Sequence, residues 1–385
     1  MKDELTKELD YIKQDLQKMS DHLYYNPELG DQEFESMKLL INYLEKQGFQ
    51  VETGLVGRTT AFKATYEGEK PGPKIAYLAE YDALPGVGHG CGHNLIGTMS
   101  VGAAVILSKQ IDHIGGSVVV LGTPAEETNG AKVPMSDEGI FSDIDAAMIV
   151  HPSDLSYSSG DSLAMDAIQF AYSGKASHAA ASPEKGINAL DSVIQLFNGI
   201  NALREHVTSD VRIHGIISEG GQAANVVPDS AVAQFYVRAK ERDYLNEVVE
   251  KVHNIAKGAA LMTGATLEIS NYELSYDNMI TNEALSDAFN KNLQQVSEGP
   301  VLPAKQSYGS IDMGNVSQVV PAIHPYIGFG EEGLIAHTQD FADKTITEEG
   351  HQTLANGALS LAFTGYDLLT DKALYQSMQQ EFKGK

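Results

Sequence analysis

The chain has 385 residues, enough for two domains that each bury a sizeable core. Its 52 acidic residues outnumber 27 basic ones, a formal net charge of −25, which argues against nucleic acid and anionic membranes as partners. One cysteine excludes an intrachain disulfide, no apolar run nears a membrane span of roughly 18 residues, and Met1 to Leu5 lacks an apolar signal core, so a cytoplasmic enzyme is expected.

In chain order, Leu5, Leu9, Ile12, Leu16, Met19 and Leu23 recur at helical spacing, and Asn26-Pro27 ends that helix. A second helix is predicted over Phe34 to Gln47, then a weakly alternating strand pair between Phe49 and Tyr66. Glu67 to Lys74 is a turn into the apolar run Ile75 to Ala79. Two more short apolar runs, Ser117 to Gly122 and Ala146 to Val150, are separated by helix-length sequence such as Leu95 to Ile111. This is the grammar of an α/β domain with a largely parallel sheet flanked by helices.

From about Met165 the pattern changes. Strands are predicted at Asp166–Tyr172, Arg212–Ser218, Ala231–Ala239 and Thr266–Tyr272, with helices at Ile187–Glu205 and Asp243–Met262. The order β-α-β-β-α-β is that of a ferredoxin-like unit. The prediction is therefore a discontinuous catalytic domain, residues 1–164 and 276–385, carrying an inserted α+β unit, residues 165–275. Amphipathic helices return at 282–296 and 347–370, around a Gly/Ser/Pro-rich stretch at 306–338.

The three apolar runs share a feature. The first leads into Glu80, Asp82, His89, Cys91 and His93 with glycines interleaved, the second into Pro124-Ala125-Glu126-Glu127, the third into His151-Pro152. Open α/β sheets bind ligands outside the carboxyl ends of their strands. Cys91, His93, Glu127, His151 and the distant His337 assemble imidazole, thiolate and carboxylate. That mixture suits zinc best, with manganese or cobalt next. Five protein ligands exceed the need of one tetrahedral zinc, so two divalent ions sharing a water are expected. On an extended segment Glu126 and Glu127 would point opposite ways, Glu127 to metal and Glu126 to the water as general base. Asp82 is expected to orient a ligating imidazole. Glu80 is a further ligand or an acceptor behind the ligands, and His89 is as readily a plain loop residue. Taken alone, Glu-Glu is an ordinary solvated pair and each single histidine an ordinary polar residue. The cluster is what carries the metal reading.

At this point the chain resembles the M-twenty metallopeptidases, which include aminoacylases, hippuricases and aminobenzoyl-glutamate hydrolases. The resemblance rests on Tyr-Asp-Ala-Leu-Pro at 81–85, Gly-Cys-Gly-His at 90–93, Pro-Ala-Glu-Glu at 124–127 and His151. It continues through Gly-Lys-Ala-Ser-His at 174–178, Ala-Asn-Val-Val-Pro at 224–228, Arg238 and Ala-His-Thr at 336–338. Gly-Cys-Gly-His-Asn looks like the aminobenzoyl-glutamate hydrolase and dipeptidase branch. The resemblance implies a two-metal amidohydrolase of dipeptides, short peptides, N-acyl amino acids or aminobenzoyl-glutamate-like amides, working through a metal-activated water. Its ferredoxin-like lid would also make a homodimer, with a tetramer equally compatible. It further implies that Cys91, His93, Glu127, His151 and His337 are the metal ligands and Glu126 the base. His178 matches a lid histidine that stabilises the oxyanion in the partner's site. Asn225 and Arg238 match lid positions that bind the substrate's carboxylate or the oxyanion. Two departures stand out: many relatives carry histidine where Glu80 stands, and hippuricase-like relatives carry aspartate where Asn94 stands, followed by a histidine absent here.

Two other functions compete. Cys91 with His93 as base could form a thiol hydrolase, which needs a low-pKa cysteine. The same scaffold could also bind peptides without cleaving them.

Overall fold

The computed structural model describes residues 2–305 and 308–384. Gln306 and Ser307, which open the stretch read at 306–338, lie outside the described residues. The first part of the chain forms helices α1 (Lys2–Tyr25) and α2 (Phe34–Lys46), strands β1 (Gln50–Thr53), β2 (Phe62–Glu67) and β3 (Lys74–Ala79), and helix α3 (His93–Ile114). Strand β4 (Ser117–Gly122), helices α4 (Glu126–Asn129) and α5 (Lys132–Asp137), and strands β5 (Ala146–Met148) and β6 (His151–Ser153) follow. Next come β7 (Ala164–Ser173), α6 (Ala189–Leu203), β8 (Arg212–Glu219), β9 (Ser230–Ala239), α7 (Arg242–Thr263) and β10 (Thr266–Asn271). The chain closes with α8 (Glu283–Val296), α9 (Met313–Val319), β11 (Ala322–Ile323), β12 (Tyr326–Gly328), α10 (Gln339–Lys344), α11 (Glu348–Thr370) and α12 (Lys372–Lys383).

These elements gather into two compact units. One comprises Met1–Asp161, Met279–Ser307 and Asp312–Lys385, the other Ser162–Asn278 with Tyr308–Ile311.

In the first unit a six-stranded sheet has the order β1-β2-β4-β3-β5-β11. β3 runs parallel to both β4 and β5, and β11 parallel to β5, while β1 and β2 are antiparallel. β4 is buried along its whole length and β3 at all but its first residue, as expected of parallel strands covered on both faces. The register pairs Ala79 with Gly122, so the segments that leave β3 and β4 start level with each other. That alignment brings residues 80–93 and 123–127 to one edge. The apolar run 146–150 does not end in a loop at His151. It splits, and His151 opens β6, which pairs in parallel with β12, because His151 N donates to Pro325 O at 3.0 Å.

Glu33 fixes the exit from β4. Its buried carboxylate accepts hydrogen bonds from Thr60 Oγ1 and from Ala125 N, both at 2.9 Å. Ala125 itself is left-handed, with φ +62°, a conformation that costs a non-glycine residue about 1 kcal/mol and needs such anchoring.

The second unit is an antiparallel sheet in the order β10-β7-β9-β8, with α6 and α7 packed on it. This is the ferredoxin-like arrangement. Phe170, Phe235, Val193, Leu196, Val248 and Val252 form its core. Arg242, at the start of α7, ties the segment entering β7 to the segment leaving β10. It bonds Asp166 Oδ1 at 2.8 Å, Asp277 Oδ1 at 2.6 Å and Tyr276 O at 2.6 Å. Residues 308–311 group with this unit: Leu163 N donates to Gly309 O at 2.9 Å, and Arg238 Nη1 to Ser310 Oγ at 3.0 Å.

These anchors carry two stability predictions. Arg242→Ala leaves the buried Asp166 and the half-buried Asp277 without their cation and should destabilise the second unit by about 2 kcal/mol, read as an earlier midpoint in urea denaturation. Burial, reinforced by the charge of Asp82, pushes Glu33 up from 4.5 to about 7. Folding therefore favours its protonated form. The resulting stabilisation is complete below about 4.5 and disappears as pH rises through about 7. Glu33→Gln keeps an acceptor for Ala125 N and removes that titration. Wild type should lose stability relative to the variant across this window, whereas parallel pH–stability curves would refute the assignment.

Candidate metal centre

β3 gives way at Glu80 to a loop that returns as α3. Gly92 sits between Cys91 and His93 with φ +81°, and a Cβ there would come within 2.4 Å of Pro152 Cγ. Only glycine lets the loop press against the start of β6 while presenting Cys91 and His93 side by side.

Asp82 organises two candidate ligands. Its backbone oxygen and Oδ1 accept from His93 Nδ1 at 2.9 and 3.0 Å, and its Oδ2 accepts from Glu127 N at 3.0 Å. His151 Nδ1 lies 2.7 Å from Pro152 O. A carbonyl can only accept, so in both imidazoles Nδ1 carries a proton, which leaves Nε2 as the ligating nitrogen of the neutral ring. Burial opposes a charge on His93, but the charge and hydrogen bond of Asp82 raise it well above the imidazole range, so its Nε2 would give up a proton to bind a cation. His151 Nε2 is 3.3 Å from Cys91 Sγ. His93 Nε2 is 3.5 Å from Glu80 Oε2, 3.8 Å from Glu127 Oε1 and 4.0 Å from Glu126 Oε2. His337 arrives from the far end of the chain in a left-handed conformation, φ +66°, pinned by its N–H to Gly90 O at 2.8 Å. Its Nε2 lies 3.4 Å from Glu127 Oε1.

The donor atoms form three overlapping groups, each with its atoms within 4.8 Å of one another: Cys91, His93 and His151; Cys91, Glu127 and His337; and His93, Glu126 and Glu127. His93 Nε2 is buried with no hydrogen-bond partner among the described residues. A buried polar atom left in this way is costly unless something satisfies it. A cation would do so, and thiolate, imidazole and carboxylate together are a donor set for a divalent transition metal. The residues therefore fit the metal expected of them.

The expectation that Glu126 and Glu127 lie on an extended segment is corrected: they form the first turn of α4, after the left-handed Ala125. Successive helical side chains diverge by about 100°, so the two carboxylates still face different groups. Their acidities separate too. Burial would raise Glu127, but hydrogen bonding and charge from His337 and the charge of His93 outweigh it and bring it to about 2. Burial raises Glu126 well above the carboxylate range, and Glu80, Asp312 and Glu127 push it further. Neighbouring carboxyls driven apart in this manner are the arrangement that separates a proton carrier from a permanent anion.

Burial also pushes the Cys91 thiol up, against the help of His93. That is the reverse of what a thiol nucleophile requires.

Glu80 is buried beside His93, and its other oxygen bonds Lys132 Nζ at 2.7 Å. Burial opposes its ionisation, yet the charge of Lys132 and then of His93 brings it to about 2. Lys132 has no counterpart among the predicted residues, since a lone lysine in sequence reads as surface. His324 escaped prediction as well, although His-Pro-Tyr at 324–326 offered a signal. It is buried, its ring 5.7 Å from that of His151 and 5.2 Å from that of Tyr326. His89 is not a plain loop residue but is buried, and burial followed by the charge of His93 pushes it down to about 3. Asn94 serves the scaffold: its Nδ2 donates to Ser20 Oγ and Thr345 Oγ1, both at 3.0 Å.

His178, Asn225 and Arg238 belong to the second unit. There His178 and Asn225 are brought alongside one another, with Ala179 N donating to Asn225 O at 3.0 Å and a bridge between His178 and Val226. His178 Nδ1 accepts from Ala180 N at 3.2 Å and Ala181 N at 3.1 Å, so its proton sits on Nε2. Arg238, on β9, packs its guanidinium over Tyr236 at 5.4 Å, and its Nε is buried without a hydrogen-bond partner among the described residues.

Comparison with known proteins fits this picture. Residues 76–359 match the model of peptidase family M20/M25/M40. A Xaa-Arg dipeptidase of Mus musculus is 36% identical over 343 residues, which cover 86% of this chain and 79% of the relative. A subunit of the p-aminobenzoyl-glutamate hydrolase of Escherichia coli is 29% identical over 94% of this chain and 91% of its own. A dinuclear metal-binding peptidase of the M20 family from Bacillus subtilis shares the fold, with a TM-score of 0.68 at 20% identity over 93% of this chain and 99% of that one. By its sequence from the first parallel strand to the last long helix, the chain belongs to peptidase family M20/M25/M40 and is a metallopeptidase-type hydrolase of C–N bonds.

Proposed function

We propose that this hydrolase cleaves the amide bond of dipeptides, short peptides, N-acyl amino acids or aminobenzoyl-glutamate-like amides, using two divalent ions held by Cys91, His93, Glu127, His151 and His337. The observation that carries the reading is the pair of donor triplets that share Cys91, one completed by His93 and His151, the other by Glu127 and His337. The donor set suits zinc best, then manganese or cobalt. When bound, the ions supply Lewis acidity and make water a nucleophile at neutral pH.

The chain's own residues do the rest. Asp82 holds His93 in the tautomer that offers Nε2 and anchors the turn that carries Glu127. Glu126 takes the proton of the attacking water and returns it to the leaving nitrogen, and its place in the donor group with His93 and Glu127 supports that role. His178, protonated at Nε2, is suited to donate to an oxyanion. Asn225 shares this role or binds the substrate carboxylate. The unpaired Nε–H of Arg238 supports that residue as the carboxylate clamp.

In our reading residues 1–164 and 276–385, save the segment 308–311 that groups with the other unit, make the catalytic domain, and residues 165–275 an inserted lid through which a homodimer forms. Support comes from β8, a sheet edge exposed from His214 to Glu219, with Ile216 61% and Ile217 44% exposed. A long exposed apolar edge invites pairing with a second strand. A tetramer would need a further surface. No helix among the described residues is long and apolar enough to cross a membrane. We place the protein in the cytoplasm, where a single unpaired cysteine stays reduced.

Elemental analysis of the purified or zinc-reconstituted protein should find about two ions per chain. Cys91→Ala should lose metal. Glu126→Gln should keep the metal and lose roughly a hundredfold or more in kcat on a panel of dipeptides and N-acyl amino acids. A Glu126→Gln protein with wild-type turnover, or a wild type that takes up no metal, would overturn the mechanism.

A further inference from the structure

Among the described residues Lys132 is the only lysine or arginine that is fully buried. Its Nζ bonds Glu80 Oε1 and Asp312 Oδ1, both at 2.7 Å, and its backbone N lies 3.4 Å from Asp312 Oδ2. Gly130 leaves room for this contact, since a Cβ there would stand 2.3 Å from Asp312 Oδ2. The remaining oxygen of Glu80, Oε2, stands 3.5 Å from His93 Nε2, one of the candidate metal donors. Well-packed apolar residues of similar volume usually match or exceed the stability of such a buried ion trio. Stability is therefore a poor explanation of this one, and its placement directly behind a metal-facing imidazole suggests another.

We propose that Lys132 is a positioning residue for the metal centre: with Asp312 it locks the Glu80 carboxylate so that Oε2 stands fixed beside His93 Nε2. A carboxylate held by one oxygen cannot rotate to capture the cation with both. It offers a fixed partial charge at the flank of the ion bound by His93, and the Lys132 ammonium offsets the rest of its charge. The lysine would thus set the geometry and affinity of that ion without touching substrate. This inference rests on the metal reading above.

The test is zinc affinity, measured by competition with a chromophoric chelator, together with kcat, KM and thermal midpoint. It compares wild type with Glu80→Gln, Lys132→Met, Lys132→Arg and the Glu80→Gln/Lys132→Met double variant. Glu80→Gln keeps an oxygen for Lys132 and should fold. It should weaken zinc binding roughly 10- to 100-fold, with kcat lowered and KM within about twofold. Lys132→Met should weaken zinc binding similarly, Lys132→Arg should recover part of the loss, and the double variant should lose no more than one single variant, because both act through one carboxylate. Should Lys132→Met fail to fold, Glu80→Gln decides. Wild-type zinc affinity in Glu80→Gln, with any loss confined to the thermal midpoint, would overturn the proposal while leaving the metal reading intact. A wild type that binds no zinc, manganese or cobalt would overturn both.

Discussion

One carboxylate holds the centre together. Asp82 leaves the end of β3, and its two oxygens reach different parts of the chain, Oδ1 to the ring of His93 and Oδ2 to the backbone of Glu127. The first contact selects the tautomer of an imidazole, and the second sets where a helical turn begins. The second would be out of reach unless β3 and β4 were paired in the register that levels Ala79 with Gly122. The placement of the candidate donors on these two segments is thus inherited from the hydrogen-bond ladder of an apolar pair of strands.

Charge is the second constraint. Glu80, Asp82, Glu126, Glu127 and Asp312 crowd this edge, and Lys132 is the one buried lysine or arginine among the described residues to oppose them. Such a cluster is unfavourable in a low-dielectric interior. Two effects make it tolerable. Glu126 takes up the proton affinity that its neighbours impose, and divalent cations, bound by a donor set that fits them, would neutralise the remainder. The same repulsion that burdens the fold leaves one carboxyl able to carry a proton beside another that stays ionised.

Much of this was legible in the sequence, for definite reasons. Runs such as Ser117 to Gly122 are apolar because parallel strands are buried on both faces, and the polar residues at their ends stand out against that background. The β-α-β-β-α-β order of the second unit followed from alternation and spacing. What escaped had no periodicity to reveal it. α4 spans only Glu126–Asn129, β11 only Ala322–Ile323 and β12 only Tyr326–Gly328, each too short to establish a repeating pattern. Lys132 escaped because nothing local distinguishes a buried lysine from a solvated one, and its environment comes from Glu80 and Asp312, both remote in sequence. The return of residues 308–311 to the second unit rests on contacts of the same non-local kind, from Gly309 to Leu163 and from Ser310 to Arg238.

The Gly90–His337 backbone bond joins an early part of the chain to a late one. Cys91, His93, Glu127 and His151 emerge from the ribosome before the second unit is made, whereas His337 and its tether come only after that unit is complete. β11 and β12, which flank β5 and the His151 strand, are equally late. Until then a nascent chain lacks one of the candidate donors and one edge of the sheet. Domains fold broadly as they are made. The candidate centre can be completed only after His337 has been made, so a polypeptide truncated before it lacks one member of the Cys91, Glu127 and His337 group however well its early strands fold.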